Sequence, residues 1–263
     1  MRYAASVEYE GTNFFGWQRQ SSVKSIQEEI ENSISQITQT TIRIHGAGRT
    51  DAGVHALGQV FHFDTDVVRP IKSLTKGVNS FLPDSIRIKW VKSVPDDFHA
   101  RFSATSRQYQ YLLNNSGINS SIWSNHCGWT FYELDPELLI IASKKFEGCH
   151  DFSAFRSSEC QAKSPIRSIK NIRVEKFNNF YLFTFNGDGF LHHQIRNMIA
   201  TIINVAKKEM SIDYIDTLFQ KKDRSLTPAT FSPNGLYLTN IKYDKIWGFP
   251  DSLNTLNIFI AES

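Results

Sequence analysis

Residues 41–64 read TIRIHGAGRTDAGVHALGQVFHFD, and this stretch sets the pattern of the fold. Isoleucines alternate with polar residues over 41–45, which predicts a short strand. Valine and phenylalanines over 58–64 predict a second strand. In the loop between them, residues 46–57, three glycines fall within eight positions. That density indicates a backbone in tight or left-handed conformations.

The flanking sequence completes a unit of order β-α-β-β-α-β. Residues 2–9 predict the first strand. Ser25 has the spacing of a helix N-cap, with Glu28 three positions on and isoleucines behind it at helical spacing. A second helix fits between two prolines, over residues 70–83, and residues 86–92 alternate as a closing strand.

The second half of the chain repeats this order. Its predicted strands cover residues 107–113, 167–175, 180–186 and 236–243. One predicted helix begins at Asp135-Pro136, and two more cover about 190–208 and 212–220. The repeat predicts an α+β fold in which two ferredoxin-like β-α-β-β-α-β halves join into one mostly antiparallel sheet. We expect helices on one face and a central cleft. The halves are placed at residues 1–105 and 106–263.

Composition describes a globular protein and leaves its partner open. Hydrophobic residues make up 41% of the 263 residues and charged residues 21%. The formal charge of +3 permits an acidic partner such as RNA, provided that the positive charge gathers on one face. Aromatic residues reach 13%, and a core role is the default for them.

Cysteine usage and hydropathy predict a cytoplasmic protein without a membrane segment. Cys127, Cys149 and Cys160 are odd in number and contain no close pair, which argues against a disulfide framework or a CxxC metal site. We expect buried free thiols. The N-terminal residues read as a strand rather than a signal peptide, and no apolar run approaches the roughly 20 residues that span a bilayer.

The glycine-rich loop is the strongest candidate for a functional site. It carries Arg49, Asp51 and His55 at the end of a strand, where sites are often built on a rigid scaffold. An ordinary turn that uses Asp and Gly explains the same residues equally well. The loop lacks the Gly-Lys-Ser/Thr ending of a phosphate loop, which argues against a nucleotide triphosphatase.

The segment GRTDAGVH, residues 48–55, resembles the central motif of TruA-type tRNA pseudouridine synthases. Further segments agree with that family in the same order along the chain: 8–11, 15–20, 98–104, 107–111, 190–197 and 235–238. The resemblance extends over about residues 2–243. It implies an isomerase that detaches uracil from its ribose, rotates it and rejoins it through C5, without a cofactor or a metal ion.

The resemblance also implies roles for individual residues. Asp51 would supply the catalytic carboxylate, which either attacks C1′ or removes a C2′ proton. Arg196, in the predicted helix over 190–208, would keep that carboxylate ionised. Tyr109 would stack on the flipped uracil and take part in removal of the C5 proton, and Leu236 would form an apolar wall. The structural alternatives are a solvated arginine for Arg196 and core packing for Tyr109 and Leu236. For Tyr111, two positions beyond Tyr109, we expect core packing.

The implied substrate is the anticodon stem-loop of tRNA, at positions 38, 39 and 40. Arg49 is the candidate to fill the space left by the flipped base, because a guanidinium both stacks and pairs with phosphate. The candidate phosphate contacts, each also explicable as a surface charge, are Arg19, His99, Arg101, Arg156, Lys163 and Arg167. Family members act as homodimers, so a homodimer is expected.

Two other functions remain open from the sequence. One is a catalytically silent RNA-binding module of the same fold. The other is a metal-dependent hydrolase using Asp51, His55 and His62. A metal site at His192 and His193 is not expected, because adjacent residues of a helix point about 100° apart. The tail beyond residue 243 carries aromatic and apolar side chains that could pack on the body or on a partner: Trp247, Phe249, Phe259 and Ile260.

Overall fold

The computed structural model describes residues 1–250 and 255–256. In that part of the chain the strands are β1 (Arg2–Tyr9), β2 (Ile44–Gly46), β3 (His55–Asp64), β4 (Ile86–Val94), β5 (Ala104–Asn115), β6 (Gly128–Thr130), β7 (Gly148–Asp151), β8 (Ile166–Phe177), β9 (Phe180–Gly187) and β10 (Leu236–Tyr243). The α-helices are α1 (Ile26–Thr38), α2 (Pro136–Lys144), α3 (Gln194–Ala206) and α4 (Tyr214–Lys221). The fold is mixed α+β with a large, mostly antiparallel sheet, which confirms the predicted class.

The chain divides into two compact units. The first contains Met1–Arg107 and the described residues from Tyr237 onward, and the second contains Gln108–Leu236. The predicted boundary between residues 105 and 106 stays a proposal. The predicted helices on one face and the predicted central cleft also stay proposals. Of the tail residues, Trp247 and Phe249 pack on Phe98 of the first unit, whereas Phe259 and Ile260 lie outside the described residues.

The first unit has the strand order β4-β1-β3-β10, with β2 added to β3. Strand β3 is antiparallel to β1 and β2 but parallel to β10, where Tyr237 lies opposite His55. The predicted β-α-β-β-α-β order is found here, with two differences. Strand β3 begins at His55, three residues before the predicted start at 58, and the helix predicted over 70–83 is centred on a π-helical segment, Ser73–Gly77.

The second unit departs from a simple repeat. Strands β8 and β9 form a long antiparallel hairpin, β7 pairs with the outer edge of β8, and β6 pairs in parallel with β5. The short strands β6 and β7 were not predicted. Helix α3 begins at Gln194 rather than near residue 190, because His193 before it adopts a left-handed backbone with φ 63°.

Helix starts follow the predicted capping chemistry. The Ser25 side chain accepts from the backbone N–H of Glu28 at 3.3 Å, and the Asp135 side chain accepts from the N–H groups of Glu137 and Leu138. A side-chain acceptor at the N-cap satisfies donors that have no partner inside the helix. Both helix starts are therefore encoded locally.

Aromatic side chains fill much of the core, as the composition suggested. In the second unit, Phe146, Phe152 and Phe155 are fully buried and pack around Phe219 with ring centroids 5.2 to 5.8 Å from it. The expectation of buried cysteines holds only in part. Cys127 is buried, Cys149 is exposed and Cys160 is half-buried, and all three are free.

A buried carboxylate ties α1 to the segments beside it. Glu31 is 1% exposed and accepts hydrogen bonds from Arg19, Arg43, Gln27 and the backbone N–H of Ile44, at 2.9 to 3.1 Å. A buried charge requires such compensation, because removing it from water is costly. Glu31 therefore fixes helix α1 against the strand that leads into the glycine-rich loop.

We expect Glu31→Gln to lower the free energy of unfolding by about 3 kcal/mol, since two arginines lose their shared carboxylate. Urea denaturation followed by circular dichroism measures this. Glu29→Gln is the matched control, because it removes the same charge from the same helix at a half-exposed site. Equal stability of the two variants would show that the Glu31 cluster contributes nothing specific.

Candidate functional site

Asp51 lies on the connection between β2 and β3 in the first unit. Its side chain is half-exposed, between the buried Thr50 and the exposed Ala52. The backbone turns back on itself at this point, with the N–H of Val54 donating to the carbonyl of Asp51 at 3.2 Å. Gly53 adopts φ +77°, a conformation that favours glycine. The carboxylate is therefore presented on a short, tightly turned loop.

The segment after β1 holds the loop from one side. The N–H of Trp17 donates to the carbonyl of Thr50 at 3.0 Å, and the Tyr9 hydroxyl hydrogen-bonds the Thr50 hydroxyl at 2.8 Å. Phe14 accepts from the N–H of Gly53 at 3.4 Å. Both the backbone and the side chain of the residue before Asp51 are thus fixed by the N-terminal segment.

Two glycines make this close approach feasible. A Cβ on Gly16 would lie 2.5 Å from the Thr50 carbonyl oxygen, and Gly16 has φ +86°. A Cβ on Gly11 would lie 2.0 Å from the Val54 carbonyl oxygen. Real Cβ atoms do not approach backbone so closely, so only glycine fits at either position. The resemblance included both residues, but the sequence did not show that they position the Asp51 loop.

Strand β3 holds the loop from the other side. The buried Gln59 side chain donates to the carbonyl of Gly48 at 2.7 Å, and the N–H of Ala47 donates to the carbonyl of Val60 at 2.8 Å. These bonds fix the backbone that precedes Arg49. Arg49 itself is exposed, on the same loop as Asp51. The structure therefore brings Arg49 and Asp51 together on one anchored loop.

His55 is a buried residue of β3 rather than a loop residue. Its Nδ1 accepts from the N–H of Gly11 at 3.1 Å, and its ring stacks on Tyr237 at 4.7 Å. His62 lies seven positions further along β3, which places it about 23 Å away. His55 and His62 therefore cannot bind the same metal ion, so the set of Asp51, His55 and His62 that the hydrolase alternative needs does not form a site.

The candidate phosphate contacts of the first unit have different surroundings. Arg19 already pairs with Glu31 at 3.0 Å and Glu28 at 3.3 Å, so an RNA phosphate would compete with two carboxylates. His99 and Arg101 lie together on the connection between β4 and β5, and Arg101 is exposed.

In the second unit, Tyr109 and Tyr111 share strand β5. Tyr109 is 8% exposed, and its ring meets Phe190 edge-on with centroids 5.2 Å apart. Tyr111 is fully buried and its hydroxyl donates to the carbonyl of Ser232 at 2.8 Å, which confirms the expected core role. Tyr109 is therefore buried against Phe190, and its stacking role stays a prediction.

Arg196 is the third residue of α3, as the position of the predicted helix indicated. It is half-exposed, and its Nε donates to the carbonyl of Phe231 at 2.8 Å. The Phe231 ring in turn packs on Tyr111 with centroids 6.1 Å apart. One backbone carbonyl thus fixes the plane of the Arg196 guanidinium.

Leu236 is positioned by the glycine before it. A Cβ on Gly235 would lie 2.3 Å from the Leu112 carbonyl oxygen, and the N–H of Leu112 donates to the Gly235 carbonyl at 2.8 Å. Leu236 is 6% exposed at the start of β10. Residues 231–236 therefore contact both α3 and β5, which carry Arg196 and Tyr109.

His192 and His193 do not have the geometry expected from a helix. They precede α3, and the left-handed backbone of His193 brings the two ring centroids to 4.0 Å. The expected divergence of about 100° was wrong for this reason.

No helix in the described part of the chain is long and apolar enough to cross a membrane.

The chain matches a model of the tRNA pseudouridine synthase family over residues 5–103 and 142–244. Two curated relatives are each named tRNA pseudouridine synthase A. The one from Pseudoalteromonas atlantica is 43% identical over 262 residues, which cover 100% of this chain and 99% of the relative. The one from Methylobacillus flagellatus is 43% identical over 261 residues, which cover 99% of this chain and 100% of the relative.

We expect Gly16→Ala to lower the free energy of unfolding by about 1 to 3 kcal/mol, because the new Cβ is strained at φ +86° and meets the Thr50 carbonyl. Hydrogen exchange should also show faster exchange of the Trp17 amide, which donates to that carbonyl. Gly117→Ala is the control, since a Cβ there has no atom within 4 Å. Unchanged exchange at Trp17 in the Gly16 variant would refute the positioning role.

Proposed function

The chain belongs to the tRNA pseudouridine synthase family, and we propose that it converts uridine to pseudouridine at positions 38, 39 and 40 of the tRNA anticodon stem-loop. The observation that carries the proposal is the Asp51 loop. Its motif resembles the catalytic motif of the family, and its backbone is fixed by hydrogen bonds from Trp17 on one side and Gln59 on the other. A half-exposed carboxylate on a rigid support suits attack on a bound nucleotide.

The reaction is an isomerisation, so its atoms balance without a second reactant. The bond between N1 of uracil and C1′ of ribose breaks, the base rotates, and a bond between C5 and C1′ forms. C5 loses its proton and N1 ends with one. Asp51 either attacks C1′ to form a covalent intermediate or removes a proton from C2′. Both routes need the carboxylate in its ionised form.

Arg196 is the proposed partner that stabilises this ionised carboxylate. A nearby guanidinium favours the charged form of a carboxyl group and offers two parallel donors to it. The hydrogen bond from Nε to the Phe231 carbonyl supports the assignment, because it sets the orientation of the planar group. A residue held in this way loses less rotational freedom when it pairs.

Tyr109 and Leu236 are proposed to hold the flipped uracil. Tyr109 offers an aromatic ring that packs edge-on against Phe190, and Leu236 offers an apolar side chain on the segment that also contacts α3. Stacking on an aromatic ring and contact with an apolar wall compensate the base for leaving its stack. Arg49, exposed on the Asp51 loop, is proposed to occupy the space that the base leaves.

The broader substrate contacts and the assembly state are also proposals. Arg19, His99 and Arg101 are proposed to contact tRNA phosphates, and the net charge of +3 is compatible with an acidic partner. The family resemblance supports a homodimer that works in the cytoplasm. It equally supports activity without a cofactor or a metal ion.

We expect Asp51→Asn to abolish pseudouridine formation on a tRNA transcript while tRNA binding stays within about two-fold of wild type, since the amide keeps the shape but loses the charge. Tritium release from C5-labelled uridine and filter binding measure the two quantities. Asp66→Asn, at an exposed position of the same unit, is the control for loss of one negative charge. Normal turnover by the Asp51 variant would contradict the assignment. A wild-type protein that binds tRNA without turnover would favour the silent RNA-binding module.

Arg196→Lys is expected to lower kcat by about 100-fold, because a lysine ammonium cannot reproduce the planar fork or the bond to the Phe231 carbonyl. Steady-state kinetics at saturating tRNA measure this effect. Arg173→Lys is the matched control, since Arg173 is a 70% exposed arginine of the second unit that pairs with Glu175. Wild-type kinetics for the Arg196 variant would assign that residue to the surface.

A further inference from the structure

Three histidines and an exposed phenylalanine form a cluster in the first unit, and of these four residues only His99 has a part in the proposed function. His45 on β2 is the cross-strand partner of His62 on β3, and their rings stack with centroids 5.0 Å apart. The His99 ring lies 4.5 Å from His62, and the Phe102 ring lies 4.3 Å from His99. We call these four residues the histidine–phenylalanine surface.

Backbone N–H groups fix the proton positions on two of these rings. The N–H of Ala100 donates to Nδ1 of His62 at 3.2 Å, and the N–H of Arg101 donates to Nδ1 of His99 at 3.1 Å. A neutral imidazole that accepts at one nitrogen carries its proton on the other. Both rings are therefore hydrogen-bond donors at Nε2. This tautomer suits an oxygen acceptor and does not suit a metal ion, which needs the lone pair.

His62 is the buried member of the cluster and supports His99. The residue is 2% exposed and accepts a hydrogen bond at Nδ1. Its ring meets the half-exposed His99 ring with centroids 4.5 Å apart. Burial lowers the pKa of His62 to about 4, with contributions from His99 and His45. The His62 ring is neutral at physiological pH.

The exposed part of the cluster has the chemistry of a nucleotide-binding surface. Phe102 is 76% exposed, which is unusual for a phenylalanine. The guanidinium of Arg101 lies 5.7 Å from the centre of that ring. An aromatic ring flanked by a cation and by N–H donors is how proteins hold an unpaired base with its phosphate.

We propose that the histidine–phenylalanine surface binds one unpaired nucleotide of the tRNA, with its base stacked on Phe102 and a phosphate or sugar oxygen bonded to Nε2 of His99. The proposal rests on the proposed function, because it takes tRNA as the ligand. His62 lies about 23 Å along β3 from His55, at the end of the strand away from the Asp51 loop. The nucleotide held there is therefore not the uridine that reacts.

The test compares Phe102→Ala and Phe102→Tyr with wild type, using a full-length tRNA transcript as the ligand. Loss of a base stack costs about five-fold or more in affinity. We expect Phe102→Ala to raise both Kd and KM by at least that factor with kcat unchanged, and Phe102→Tyr, which keeps the ring, to restore both. Phe81→Ala is the matched control, because Phe81 is a 54% exposed phenylalanine of the same unit.

Wild-type Kd and KM for Phe102→Ala would overturn the proposal. So would a Phe102→Tyr variant as weak as Phe102→Ala, because the side chain would then act in a way that does not depend on its ring. Thermal unfolding of each variant checks that the fold is intact. A wild-type protein that binds tRNA but forms no pseudouridine would refute the proposed function, while the Kd comparison would still decide on the nucleotide site.

Discussion

The carbonyl oxygen of Thr50 is the contact on which the rest of the candidate site depends. It accepts from the N–H of Trp17, and the same residue bonds to Tyr9 through its hydroxyl. The two chain segments can meet only because Gly11 and Gly16 have no Cβ. The N-terminal segment therefore acts as a support for the residue before Asp51. A carboxylate that must act on one atom of a bound nucleotide needs such a support, since small misplacements cost large factors in rate.

The second unit has its own support, built on the same principle. Residues 231–236 bond to Arg196 through the Phe231 carbonyl, to Tyr111 through the Ser232 carbonyl and to Leu112 through Gly235. Residues 231–236 thus hold Arg196, strand β5 and Leu236 in place. Close backbone packing at a glycine again makes this feasible, as at Gly16 in the first unit. In each unit, an irregular segment with anchored backbone thus holds the residues that the proposed reaction uses.

Local chemistry explains which parts of the structure were predictable from sequence. The caps at Ser25 and Asp135 and the alternating strands depend on neighbouring residues, and they were predicted. The π-helical segment Ser73–Gly77 and the three-residue strand β6 were not predicted, because both are too short to show a distinctive spacing of apolar residues. The left-handed backbone of His193 leaves no sequence signal, because it is a non-glycine residue. The parallel pairing of β10 with β3 joins residues far apart in the chain. For the site, family resemblance named Asp51, Arg196 and Tyr109, and geometry added the residues that hold them.

The most direct test of the central claim is to map pseudouridine in tRNA transcripts after incubation with the purified protein. Carbodiimide modification followed by primer extension reads each position of the anticodon stem-loop. The account predicts new pseudouridine at positions 38, 39 and 40 where the transcript has uridine, and none in transcript incubated alone. A folded protein that binds the transcript and leaves every uridine there unchanged would contradict it.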